Sequence, residues 1–235
     1  MFEEQMIKLG LGLPVLATQV QAAADIYNHL EGWATTDRAL FALATVLHGA
    51  EAFREREYEA ALIRVAAVNQ LYATNVYAVA RMAERVVTLS NRGQWTFDTV
   101  DELANLPRTE NQKTERRHVS FASKYAHFFV DAKKFPIYDS YALVALGHHL
   151  GTAYAPGNEH PYRSYAEKVI ALVEASSLER DLAALDRYLW LAGQLITFRK
   201  SKAAAKVLNR EVRRFFEEED QKEHSVCRAL LGSVG

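Results

Sequence analysis

The sequence predicts an all-α fold, on three observations. Apolar residues recur at helical spacing along most of the 235 residues, while strand-like alternation is scarce. Helix caps and breakers punctuate the chain at intervals that suit helices. No repeat, low-complexity tract or shift of composition divides it, so residues 1–235 are expected to form one unit of interlocked lobes. The loop near 151–157 is where the lobes would part.

The elements follow in order. Asp37 precedes a long run, 38–66, broken near Arg54–Tyr58. A run over 67–89 places Val76, Val79, Ala83 and Val86 on one face, and Asn91-Arg92-Gly93 stops it. Asp98 caps a short helix, 99–106, that ends at Pro107, and the polar segment 108–117 reads as a loop. Helix 118–130 carries a buried stripe of Phe121, Tyr125 and Phe128. After the Pro136 connector, Asp139 caps helix 140–150. Pro161 suits the first turn of helix 161–175. Ser176-Ser177-Leu178-Glu179 reads as a capping box for a helix through Arg199, and a last helix runs from near Lys202 past Phe216. That makes about eight or nine helices.

Composition narrows the function. With 49% hydrophobic residues, 11 Phe and 11 Tyr, the chain can build a core. The net charge of −1 provides no global basic field, so a nucleic acid would have to be held by a local patch. Cys227 is the only cysteine, which excludes an internal disulfide and a cysteine-based metal or iron–sulfur site. His148 and His149 point in different directions on their helix, so no metal is expected, and no cofactor either. No glycine-rich phosphate loop supports nucleotide hydrolysis. No stretch of about 18 apolar residues predicts a membrane span. The acidic start lacks the basic region of a signal peptide, so a cytoplasmic monomer is expected.

The chemistry concentrates in 119–142. Ser120, Lys124 and His127 lie at i, i+4 and i+7 on helix 118–130 and share a face beside the aromatic stripe. Desolvation there disfavours an ammonium, and a neutral amine is what Schiff-base chemistry needs. Asp139, at a helix N-terminus, is favoured as a carboxylate. It could act as a base or stabilise positive charge growing at a sugar C1′. On spacing alone, each residue also has an ordinary reading: a snorkelling lysine, a packed histidine, an N-cap aspartate.

Residues 120–139, SFASKYAHFFVDAKKFPIYD, resemble the nucleophile helix and catalytic-aspartate turn of helix-hairpin-helix DNA glycosylases, the 8-oxoguanine glycosylases above all. The resemblance implies a two-lobed helical fold. It also implies catalytic roles for Asp139 and Lys124, with Ser120, His127 and Tyr138 as pocket or supporting residues. Aligned without gaps from Asp139, the family's Schiff-base lysine falls on Ser120, and Lys124 sits one turn later. Either Lys124 is a displaced nucleophile and the enzyme also nicks DNA, or it positions the base and Asp139 works with water.

A second patch, 68–86, resembles the family helix that enters the duplex at the lesion, with Ala73-Thr74-Asn75-Val76 as the matching stretch. It implies Tyr72 as an aromatic wedge, with Asn69, Gln70 and Asn75 near the orphaned base. Leu185–Gly193 resembles the late helix behind the catalytic aspartate.

The family's Leu-Pro-Gly-x-Gly hairpin is absent, because Leu106-Pro107 runs into RTENQKTERR. Either Lys113, Arg116 and Arg117 replace its amide contacts with charges or the hairpin is remodelled, and Lys133 and Lys134 could touch phosphates. A basic run from Arg199 to Arg214 is either a phosphate stripe or a solvated face balanced by Glu217-Glu218-Glu219-Asp220.

The expected function is excision of a damaged or modified base from double-stranded DNA by base flipping. The base would be an oxidised purine or a hypermodified base of foreign DNA, in repair or in antiviral defence. The rivals are a non-catalytic DNA-binding module that keeps the fold, and a helical scaffold with no DNA role.

Overall fold

The computed structural model describes residues 12–49, 56–106, 117–176, 178, 181–222 and 225–232. The fold is all-α. Among the described residues there are twelve helices and no strand, only an isolated bridge between Asn105 and Arg117. The helices are α1 (Ala17–Asn28), α2 (Glu31–Gly49), α3 (Glu57–Leu71), α4 (Val79–Ser90), α5 (Phe97–Ala104), α6 (Val119–Phe129), α7 (Ser140–Leu150), α8 (Pro161–Ala175), α9 (Leu182–Lys200), α10 (Lys202–Ala205), α11 (Arg210–Glu219) and α12 (Val226–Leu231).

Twelve exceeds the expected eight or nine, for local reasons. The buried side of α1 mixes the polar Gln19 and the small Ala22 and Ala23 with Ile26 and Tyr27, and carries a faint apolar signal. Asp37 lies inside α2 rather than before it. The run 67–89 is split between α3 and α4 by a loop whose Ala73 and Asn75 take left-handed φ values of 47° and 57°. Asn69 holds that loop. Its Oδ1 accepts from Val76 N (2.8 Å) and Thr74 Oγ1 (3.0 Å), and its Nδ2 donates to Val76 O (3.0 Å). An asparagine side chain thus takes over the backbone partners that a continuing helix would have used. Asn69→Ala is expected to cost about 1–3 kcal/mol, since the buried Val76 N–H loses its acceptor. A urea midpoint equal to wild type would contradict this.

Caps differ in detail. Thr96 rather than Asp98 caps α5, its hydroxyl accepting from Thr99 N. Asp181 caps α9, and the expected capping-box residues Ser177 and Glu179 lie outside the described residues. Asp139 caps α7 as expected, and Gly151 closes it in the left-handed region at φ 69°.

The chain divides into two compact units. The first comprises Met1–Thr35, Asp139–Ala155 and Glu167–Gly235. Its centre is α9, whose Leu185, Tyr188, Leu189 and Ala192 are buried against α7 and α1. The second comprises Thr36–Tyr138 and Pro156–Ala166. Its centre is α6, on which α3 and α5 pack. Every residue of α6 from Phe121 to Phe128 is buried, so the helix is enclosed on all sides rather than half-exposed. No helix among the described residues is long and apolar enough to cross a membrane.

Candidate active site

Enclosure of α6 decides the environment of Lys124, which is only 3% exposed. A buried amine needs partners. Lys124 Nζ donates to Ser120 Oγ at 2.7 Å, one turn earlier, and lies 5.3 Å from the centre of the Tyr72 ring. The Tyr72 hydroxyl donates to Asp37 Oδ1, and its ring packs on Phe128 at 5.7 Å. Asp37, Tyr72, Lys124 and Ser120 therefore form a polar chain set in an aromatic wall. Asp37 was not legible as part of it, because its sequence position reads as a helix cap.

The connector leaves α6 through a turn at 132–134, closed by Lys134 N and Phe135 N donating to Asp131 O (3.1 and 3.0 Å), and the irregular stretch 135–138 that follows cannot satisfy its own carbonyls. Side chains do so at four consecutive positions. His127 Nδ1 donates to Phe135 O (3.0 Å), Tyr162 Oη to Pro136 O (3.0 Å), Tyr165 Oη to Ile137 O (2.8 Å) and Ser123 Oγ to Tyr138 O (3.4 Å). Ser123 Oγ also accepts from Tyr138 N at 3.0 Å. A carbonyl only accepts, so His127 carries its proton on Nδ1. The Tyr138 ring meets Tyr165 edge-on at 5.3 Å. His127 and Tyr138 thus belong to the apparatus that immobilises the turn leading into Asp139. Tyr162 and Tyr165, a same-face pair on α8, complete it; their i, i+3 spacing was the available signal.

Asp139 opens the other unit. Its Oδ1 accepts from Tyr141 N at 2.8 Å. Burial first, and then the negative charge of Asp139, raise the Tyr141 hydroxyl above the ordinary tyrosine range. Gly193 of α9 backs this first turn of α7. A Cβ placed there would come within 1.8 Å of Tyr141 O, so only glycine permits the approach.

The remaining sequence candidates are placed elsewhere. Asn69 has both ends of its amide engaged in the 72–78 loop. Gln70 and Asn75 are exposed, and Tyr77, at 85%, is the exposed aromatic of this stretch rather than Tyr72. Arg117 donates to Asn158 O. Lys133 is exposed, whereas Lys134 Nζ donates to Trp95 O at 2.5 Å. Lys113 and Arg116 lie outside the described residues.

Among the described residues, one group could offer metal ligands. Asp98, Asp101 and His160 bring ligand atoms within 4.8 Å of one another. Both Asp101 oxygens, however, accept from the first amides of α8, Tyr162 N (2.8 Å) and Arg163 N (2.9 Å), and Asp98 pairs with Arg163. The group serves as the N-terminal cap of α8, and burial raises the Asp101 carboxyl above its usual range.

The family model described as HI_0787_N, N-terminal domain, matches residues 19–134. No curated protein and no solved structure matches the chain.

Proposed function

We propose that the protein is a DNA N-glycosylase that takes a modified base out of duplex DNA and cuts its bond to the sugar. The observation that carries this reading is Lys124, an amine 3% exposed on a fully enclosed helix. Two further features support it. The turn into Asp139 is fixed at four successive carbonyls, the preorganisation a catalytic carboxylate needs. Asn105, at the end of α5, and Arg117, just before α6, are bridged to each other, so these two helix ends are held side by side.

In the proposed reaction the C1′–N bond breaks with its electron pair going to the base. The positive charge left at C1′ is stabilised by the Asp139 carboxylate. Either a water then bonds to C1′ and its proton passes to Asp139, or the neutral Lys124 amine bonds to C1′ and passes its proton to the departing base. The base is an oxidised purine or a hypermodified base of foreign DNA.

A second reading, a non-catalytic DNA-binding module, is favoured by the Lys124 contacts with Ser120 and Tyr72, which would equally satisfy a structural lysine.

The test is base release from duplexes carrying 8-oxoguanine, uracil, alkylated purines or hypermodified cytosines. Asparagine is as good an N-cap as aspartate, so Asp139→Asn should keep the fold. It is expected to slow release by about 100- to 10,000-fold. Lys124→Met, which keeps most of the side-chain volume, tests the amine, and borohydride trapping of wild type reports an imine. DNA binding without release from any of these duplexes would establish the non-catalytic module instead.

A further inference from the structure

We propose that the turn joining α9 to α11, residues 200–210, is a docking surface for the phosphate backbone of duplex DNA. This deepens, and rests on, the glycosylase reading. The stretch 187–210 contains six cations and no acidic residue. In sequence these cations look balanced by the acidic run that follows, but of the six that run pairs only with Arg199 and otherwise meets Arg213, Arg214 and Lys222. Glu217 meets Arg213 (3.7 Å), Glu218 meets Arg214 (2.7 Å), Asp220 meets Arg199 (3.5 Å) and Glu219 meets Lys222. Glu211 Oε1 accepts from Gly32 N at 3.0 Å. Lys200, Lys202, Lys206 and Arg210 are left exposed, and none has an acidic partner among the described residues.

Four cations within eleven residues, none ion-paired among the described residues, make a local positive field on a chain whose net charge is −1. Lys202 and Lys206 are four apart through the helical turn of α10, so they share a side. The turn is also anchored beside the candidate carboxylate. The Tyr141 hydroxyl donates to Val207 O at 3.5 Å, and Asp139 caps the same helix turn through Tyr141 N. A backbone held by these cations would run past the N-terminus of α7. Cations on flexible stems suit phosphates, which carry charge but no sequence information. The surface would thus supply the sequence-independent grip for which the chain has no glycine hairpin.

The experiment is fluorescence anisotropy of the full chain on a labelled duplex across a salt series, with base release measured in parallel. Each lost phosphate contact lowers the slope of log K against log salt by about 0.9. The triple variant Lys202→Gln, Lys206→Gln, Arg210→Gln is expected to lower the slope by about 2–3 and to weaken low-salt binding more than about tenfold. The control Arg213→Gln, Arg214→Gln, whose cations are already paired, should leave the slope at the wild-type value. The single variant Lys206→Glu repeats the test with the least change to the fold. An unchanged slope in the triple variant, with wild type still binding and releasing base, overturns the docking surface and spares the glycosylase reading. Equal losses in triple variant and control overturn it as well. A wild type that binds no duplex overturns both.

Discussion

Gly193→Ala is expected to destabilise the protein by about 3 kcal/mol or more, lowering the melting temperature by about 10 °C. The added Cβ would meet Tyr141 O at 1.8 Å and Tyr141 C at 2.5 Å. Both are backbone atoms, so no rotamer change relieves the clash. The first turn of α7 must move away from α9, or α9 must bend. Asp139 caps that turn through Tyr141 N, so the movement reaches the candidate carboxylate directly. Base release should therefore fall further than the loss of folded protein accounts for. Thermal melts together with release rates at a temperature where the variant is folded check both parts. A melting temperature within about 2 °C of wild type would show that the helices part without cost, against the usual penalty of overpacking.

Acid should weaken the first unit through His149. This residue is 1% exposed, with Nδ1 donating to Leu13 O (2.9 Å) and Nε2 accepting from the Tyr188 hydroxyl (2.7 Å). Burial, with a smaller contribution from His148, pushes its pKa down to about 4. In the unfolded chain it titrates near 6.5. The folded value is the depressed one, so the unfolded state takes up the proton first as pH falls. The stabilisation is therefore complete above about pH 6.5 and is lost progressively toward pH 4. The loss amounts to about 2 kcal/mol by pH 5 and about 3 kcal/mol at the acid limit. His149→Gln keeps a donor and an acceptor but does not titrate. Urea unfolding at pH 7, 6 and 5 should show wild type losing stability faster than the variant by that amount. Parallel curves would mean that the histidine protonates in place with little penalty.

Leu185–Gly193 was recognisable in sequence as part of a helix running through Arg199, and Asp139 as an N-cap, because capping and periodicity are local properties. That Gly193 backs the very turn Asp139 caps is a contact between residues more than fifty positions apart, which no local pattern encodes and which only the family resemblance led one to expect. The buried stripe of Phe121, Tyr125 and Phe128 was legible for the same local reason, and all three are buried. The burial of Lys124 on the flank of that stripe was expected only through desolvation. Its depth came from α3 and α5 enclosing α6, and its partner Tyr72 from the loop that Asn69 ties down.

The sequence by itself determined an all-helical chain, the N-cap at Asp139, the aromatic stripe of α6 and the absence of acidic residues across 187–210. These depend on residue type and short spacing, which act through neighbouring backbone groups. Only the tertiary structure decided which charges are compensated and which carbonyls are bound. It brought Asp37 to Tyr72, gave the acidic run to Arg199, Arg213, Arg214 and Lys222, and closed the Phe135–Tyr138 carbonyls with side chains from α6 and α8. Polar groups removed from water must find partners wherever packing places them, and packing is set by the whole chain rather than by any segment of it.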